Sequence, residues 1–140
     1  MTDTIADQEA LLRIVAGLVP ATAQQVGAAL GKLSMDLQRL TEQLSEADQT
    51  ATLLADKYQL EFDKAYLMAG AGKTKPTEGV RNAEARMATA PLRLELEVAK
   101  LDVRSLKAAH RTLDRRIDVG RTQAATVRSE HRTIGYGQAS

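Results

Sequence analysis

The chain has 140 residues, enough for one domain, and its 19 Lys and Arg nearly balance 18 Asp and Glu for a net charge of +1. Aromatic residues make up only 3%, too few for a conventional packed globule. The absence of cysteine excludes disulfide scaffolds, Cys-ligated zinc and thiol chemistry.

The opening Met1-Thr2-Asp3-Thr4 carries no basic residue, and Arg13 and Gly17 interrupt the apolar stretch over 11–19. The expectation is therefore a cytoplasmic protein with neither signal peptide nor membrane span. Residues 6–18 predict a short amphipathic helix in which Leu11, Leu12, Ile14, Val15 and Leu18 cluster and which Pro20 ends. Its expected role is to cap a hairpin or join neighbouring subunits.

A first long helix is predicted over 22–69. Leu30, Leu33, Leu37, Leu40, Leu44, Ala47, Ala51, Leu54 and Tyr58 follow one another at alternating steps of three and four, a seam that only a helix brings to one face. Residues 70–79, with Gly70, Gly72, Gly79 and Pro76, read as the hairpin loop. A second long helix is predicted over 80–134, with its seam at Leu92, Leu96, Ala99, Val103, Leu106, Leu113, Ile117, Gly120, Ala124 and Val127. Pro91 marks a kink or a second start capped by Thr89, and the tail 135–140 reads as frayed.

The fold class that follows is all-α: a single helical domain over 1–140, built as a long antiparallel, coiled-coil-like hairpin with a short N-terminal helix. Two helices alone leave each other covered on one side only, so the chain is expected to assemble with copies of itself. Leu92, Leu94, Val98 and Leu101 make the second helix apolar over more than half its circumference and are the predicted oligomerisation residues.

Candidate chemistry is sparse. Gly70-Ala71-Gly72-Lys73-Thr74 resembles the end of a phosphate-binding loop, but Leu67 stands where the motif needs its first glycine and no strand precedes it, so a helix stop is the better reading. His110 and His131 fall on the seam, and only Asp114 has metal-ligand spacing to either; polar seam residues that fix register explain them better. Tyr58, Phe62 and Tyr66 line one helix face, a possible base-stacking platform but more simply a packing ladder that continues the leucine register. No catalytic residue, metal site or cofactor is expected, and the chain is not read as an enzyme.

Charge divides along the chain. Residues 1–75 sum to −3 and residues 76–140 to +4, and within 104–132 there are 8 basic against 3 acidic residues. Arg86, Arg93, Lys100, Lys107, Arg121 and Arg128 recur at seven or fourteen and form one column beside the apolar seam, interrupted by Asp114, with Arg104, Arg111, Arg115 and Arg116 on neighbouring faces. Such a column is either the solvated flank of a coiled coil, paired with acidic residues of a partner helix, or a row of cations for a phosphate backbone.

The run Leu92-Arg93-Leu94-Glu95-Leu96-Glu97 and the later Leu113-Asp114-Arg115-Arg116-Ile117-Asp118-Val119-Gly120-Arg121 look like small phage proteins with the same helix, glycine-lysine loop and helix plan. Those resemble the phage recombination mediator family (UvsY-type), over roughly residues 54–134. The resemblance implies an oligomer that binds single-stranded DNA, and on the phosphate-track reading of the column the contacting residues are Arg93, Lys100, Arg104, Lys107, Arg111, Arg115, Arg116, Arg121 and Arg128. It also implies help in loading a recombinase against a single-strand binding protein, in the host cytoplasm. The alternative is a phage structural or regulatory coiled coil that binds other proteins and no nucleic acid.

Overall fold

The structure, a computed structural model, describes residues 2–71 and 76–138, with side chains at 5–71, 76–126 and 128–130. Its elements are α1 (Thr2–Val15), α2 (Ala23–Ala69) and α3 (Glu78–Gln138), and the described residues contain no β-strand. The all-α expectation holds, with the two long helices packing against each other. Thr41 of α2 meets His110 of α3 and Tyr66 meets Arg81, so the partner number falls as the α2 number rises and the two helices run antiparallel.

Local chemistry sets the helix ends. α1 stops at Val15, before Pro20 is reached, because Gly17 adopts a left-handed φ of 75° and closes a Schellman turn: Leu18 N donates to Arg13 O at 3.0 Å and Gly17 N to Ile14 O at 3.2 Å. Thr22 and Gln25 cap α2 reciprocally, Gln25 N donating to Thr22 Oγ1 at 3.2 Å and Gln25 Oε1 accepting from Thr22 N at 2.9 Å. At the far end Thr77 caps α3, which begins at Glu78 rather than residue 80. The predicted loop lysine, Lys73, lies outside the described residues.

Pro91 does not open a new helix, since α3 runs through it. It sits on an exposed position inside α3, where the only backbone bond lost is the one to residue 87. Thr89 does not cap; its hydroxyl donates to Ala85 O at 2.7 Å within the same helix. α3 also continues to Gln138, through part of the tail expected to fray.

The chain divides into two compact units, Met1–Thr41 with Ala108–Ser140, and Glu42–Lys107. In the first, α1 covers one side of the α2–α3 pair. Leu12 and Val15 pack with Ala29 and Leu33 of α2 and with Leu113 and Ile117 of α3, and Leu33 and Val15 are almost fully enclosed. A Cβ built on Gly120 would stand 3.3 Å from Val15 Cγ1 and 3.6 Å from Ala16 N, so the absence of a side chain there lets the end of α1 approach α3. The N-terminal helix therefore caps the pair within its own chain.

The second unit holds only α2 and α3. Its enclosed residues are Ala85, Thr89, Leu96, Ala99 and Val103, two of the five alanine, so little apolar surface is buried. Tyr58, Phe62 and Tyr66 are half-buried there. Tyr58 and Phe62 pack at 6.1 Å between ring centroids and the Arg81 guanidinium lies 5.7 Å above Tyr66, an arrangement of packing rather than of open ring faces.

Candidate nucleic-acid interface

From Ala85 onward the enclosed and half-enclosed positions described in α3 run Ala85, Thr89, Leu92, Leu96, Ala99, Val103, Leu106, His110, Leu113, Ile117, Gly120 and Ala124, an unbroken alternation of four and three. At 100° per residue this seam fixes where every other α3 side chain points. Arg86, Arg93, Lys100 and Lys107 each follow a seam residue and share one flank, with Arg104 beside them; all five are exposed and all lie in the second unit. In the first unit Arg121 and Arg128 occupy the corresponding flank, Arg111 stands beside it and Arg115 one step further round, again all exposed.

Within the chain these cations have few partners. Lys100 Nζ reaches Glu97 Oε1 at 3.6 Å within its own helix, and Arg128 Nε donates to the Ala124 carbonyl at 3.3 Å. Among the described residues no carboxylate of α2 pairs with Arg86, Arg93, Arg104, Lys107, Arg111, Arg115 or Arg121. Of the acidic residues of α2, Asp36 pairs with Arg39 and Glu61 with Lys64, each along its own helix. Thus the column does not serve as an ion-pair flank inside the hairpin, and its charge faces solvent.

Arg116 departs from the group. It immediately precedes the seam residue Ile117 and so lies on the opposite flank, where its guanidinium grips Glu9 of α1 in a bidentate ion pair, Nη2 to Oε2 at 2.9 Å. Those hydrogen bonds hold the Glu9 carboxyl below its ordinary value and raise Arg116, with the attraction of the opposite charge acting in the same direction. Sequence spacing placed Arg116 among the phosphate contacts because Glu9 is remote in sequence; an acidic residue one turn ahead of the apolar Leu12 was the only available signal.

Leu92, Leu94, Val98 and Leu101 also separate. Leu92 is half-buried in the α2–α3 seam, whereas Leu94, Val98 and Leu101 are 67%, 51% and 55% exposed and Met87, one heptad earlier, is 79% exposed. Met87, Leu94, Val98 and Leu101 thus form a second apolar stripe, on the face of α3 turned away from α2 and bordering Arg104. Met87 was the member that the sequence reading omitted, although its spacing of seven from Leu94 announces it.

His110 carries no metal-ligand geometry. Thr41 Oγ1 lies 3.1 Å from Leu37 O and 3.1 Å from His110 Nε2. The pair is a polar contact at the apolar seam. No group of three or more His, Asp and Glu suited to a metal occurs among the described residues, and the His131 side chain lies outside them. No described helix is long and apolar enough to cross a membrane.

Comparison with known proteins returns nothing to set beside this geometry: no family model, curated protein or solved structure matches the chain.

Proposed function

We propose that the chain is a non-enzymatic, self-associating protein that binds single-stranded DNA and serves as an accessory to recombination, presenting the strand to a recombinase in place of a single-strand binding protein. The observation that carries the reading is the exposed cations of α3: Arg93, Arg104 and Lys107 in one unit and Arg111, Arg115 and Arg121 in the other have no carboxylate partner among the described residues. Cations at helical spacing can neutralise phosphates without reading bases, and binding of this kind releases counterions. The recombination role rests on the resemblance of the second helix to the mediator family.

The mechanism is charge neutralisation multiplied by assembly. Each copy supplies short rows of Arg and Lys, and the Met87–Leu94–Val98–Leu101 stripe supplies an apolar face through which copies associate. That same stripe favours the second reading, a protein-interaction module without nucleic acid. A gel-shift titration of oligo(dT) at two salt concentrations decides between them. Retarded complexes whose affinity falls by about 0.7 log unit per log unit of salt for each phosphate neutralised support the DNA reading. An intact assembly with no detectable affinity at low salt leaves the interaction module.

A further inference from the structure

The first unit carries a groove of about 760 Å³ between α1, the turn over 16–22 and the opening turns of α2. Its floor is aliphatic and mostly small: Ala10 and Ile14 from α1, Val19 from the turn, Ala28 and Ala29 from α2. Arg13 and Lys32 stand on its rim, both exposed.

Glu9 also lines the groove and feels the attraction of Arg13, so the charged lining is one carboxylate against two cations. Glu9, the carboxylate nearest Arg13 along α1, is turned to Arg116 and held there by two hydrogen bonds. Asp36, one helical turn from Lys32, accepts from Gln8 Nε2 at 3.3 Å and lies 3.9 Å from Arg39 Nη1. Neither Arg13 nor Lys32 has an ion-pair partner among the described residues. An apolar floor wide enough for a side chain, bordered by two exposed cations and by one carboxylate whose hydrogen bonds go to Arg116, carries a net positive rim and is complementary to an acidic and apolar ligand.

We infer that this groove docks a short acidic peptide segment of another protein, one that places an apolar side chain on Ala10, Ile14, Ala28 and Ala29 while flanking carboxylates meet Arg13 and Lys32. A nucleic acid is the poorer fit, because the floor has no aromatic ring for a base to stack on. The groove lies on the α1 side of the unit and uses none of the α3 cations, so the inference stands apart from DNA binding.

The test is fluorescence anisotropy of a fluorescein-labelled peptide Asp-Glu-Leu-Phe-Asp-Glu added to the full chain, with Asp-Glu-Ser-Ser-Asp-Glu and Lys-Arg-Leu-Phe-Lys-Arg as controls. Saturable binding of the first peptide alone is expected. It should weaken about tenfold or more in the double variant Arg13→Glu/Lys32→Glu, which reverses the rim. It should weaken likewise in Ala28→Leu, which fills the floor at an exposed, helix-compatible position. Circular dichroism verifies that both variants remain folded. Equal binding of the serine peptide, or affinity indifferent to both variants, would overturn the docking site. Oligo(dT) retardation by the two variants, measured alongside, should match the unmodified chain; loss of DNA binding in these variants would overturn the separation of the two surfaces. Absence of DNA binding by the unmodified chain would end the DNA reading without touching the groove.

Discussion

Replacing Leu94 and Leu101 together by Ser tests whether the outer stripe of α3 holds copies together. Full burial of one leucine side chain is worth about 2 kcal/mol. With 67% and 55% of these two still exposed in the single chain, association can recover about 1.2 kcal/mol from each, or about 5 kcal/mol across an interface between two copies. The complete stripe, with Met87 and Val98, offers about 10 kcal/mol between two copies. That is comparable with the roughly 4–15 kcal/mol of freedom lost on association, so assembly should depend on concentration. Removing about half of it should weaken association by up to three or four decades at about 1.4 kcal/mol per decade. Sedimentation equilibrium over a range of concentrations reads this directly. Helicity by circular dichroism should not change, because neither side chain is packed within its own chain. A chain that is monomeric at every concentration, or a double variant that assembles as well as the original, would refute the reasoning.

Leu33, fully enclosed among α1, α2 and α3, should lose about 3 kcal/mol of stability on Leu33→Ala in urea titration, whereas Leu53→Ala, at a position 63% exposed, should change it by less than about 0.5 kcal/mol. Arg121→Ala with Arg128→Ala should lower the salt slope of oligo(dT) binding by about 1.4, while Arg116→Ala, on the opposite flank, should leave that slope unchanged and instead speed amide exchange in α1. The Glu9 carboxyl is depressed by Arg116, so its contribution is present above the ordinary carboxyl value of 4.5 and lost as pH falls through the lowered folded value. Stability curves for the unmodified chain and Glu9→Gln should therefore differ near neutrality and converge on acidification; a gap that widens toward low pH would reverse that assignment.

The seam was readable from the sequence because it depends on spacing alone. Leucine and alanine at steps of three and four define a helix face whatever lies opposite, and the same count places His110 and Gly120 on the seam of α3. What spacing could not supply was the partner across the chain. Gly17 ended α1 ahead of the expected Pro20 because a left-handed C-cap needs only one glycine and no proline. Pro91 misled in the other direction: a proline on the exposed side of a long helix forfeits one backbone bond, and the packing of Ala85, Thr89 and Leu96 along the opposite side outweighs it.

The candidate interface divides along the same line. Membership of the cation flank follows from arithmetic on residue numbers, and Arg93, Lys100, Lys107, Arg121 and Arg128 all fall where that arithmetic puts them. Arg116 does not, since one residue's offset, 100° of rotation, carries a side chain from open solvent to the edge of the seam, where α1 supplies Glu9. The same offset separates Leu92, turned inward, from Leu94, turned outward, though both belong to one apolar run. A charged or apolar run on a long helix is therefore not a site until the seam has been located. Once it has, three surfaces follow from the one register: a cation flank that faces solvent, an apolar stripe that a second copy can cover, and a flank on which α1 is clamped.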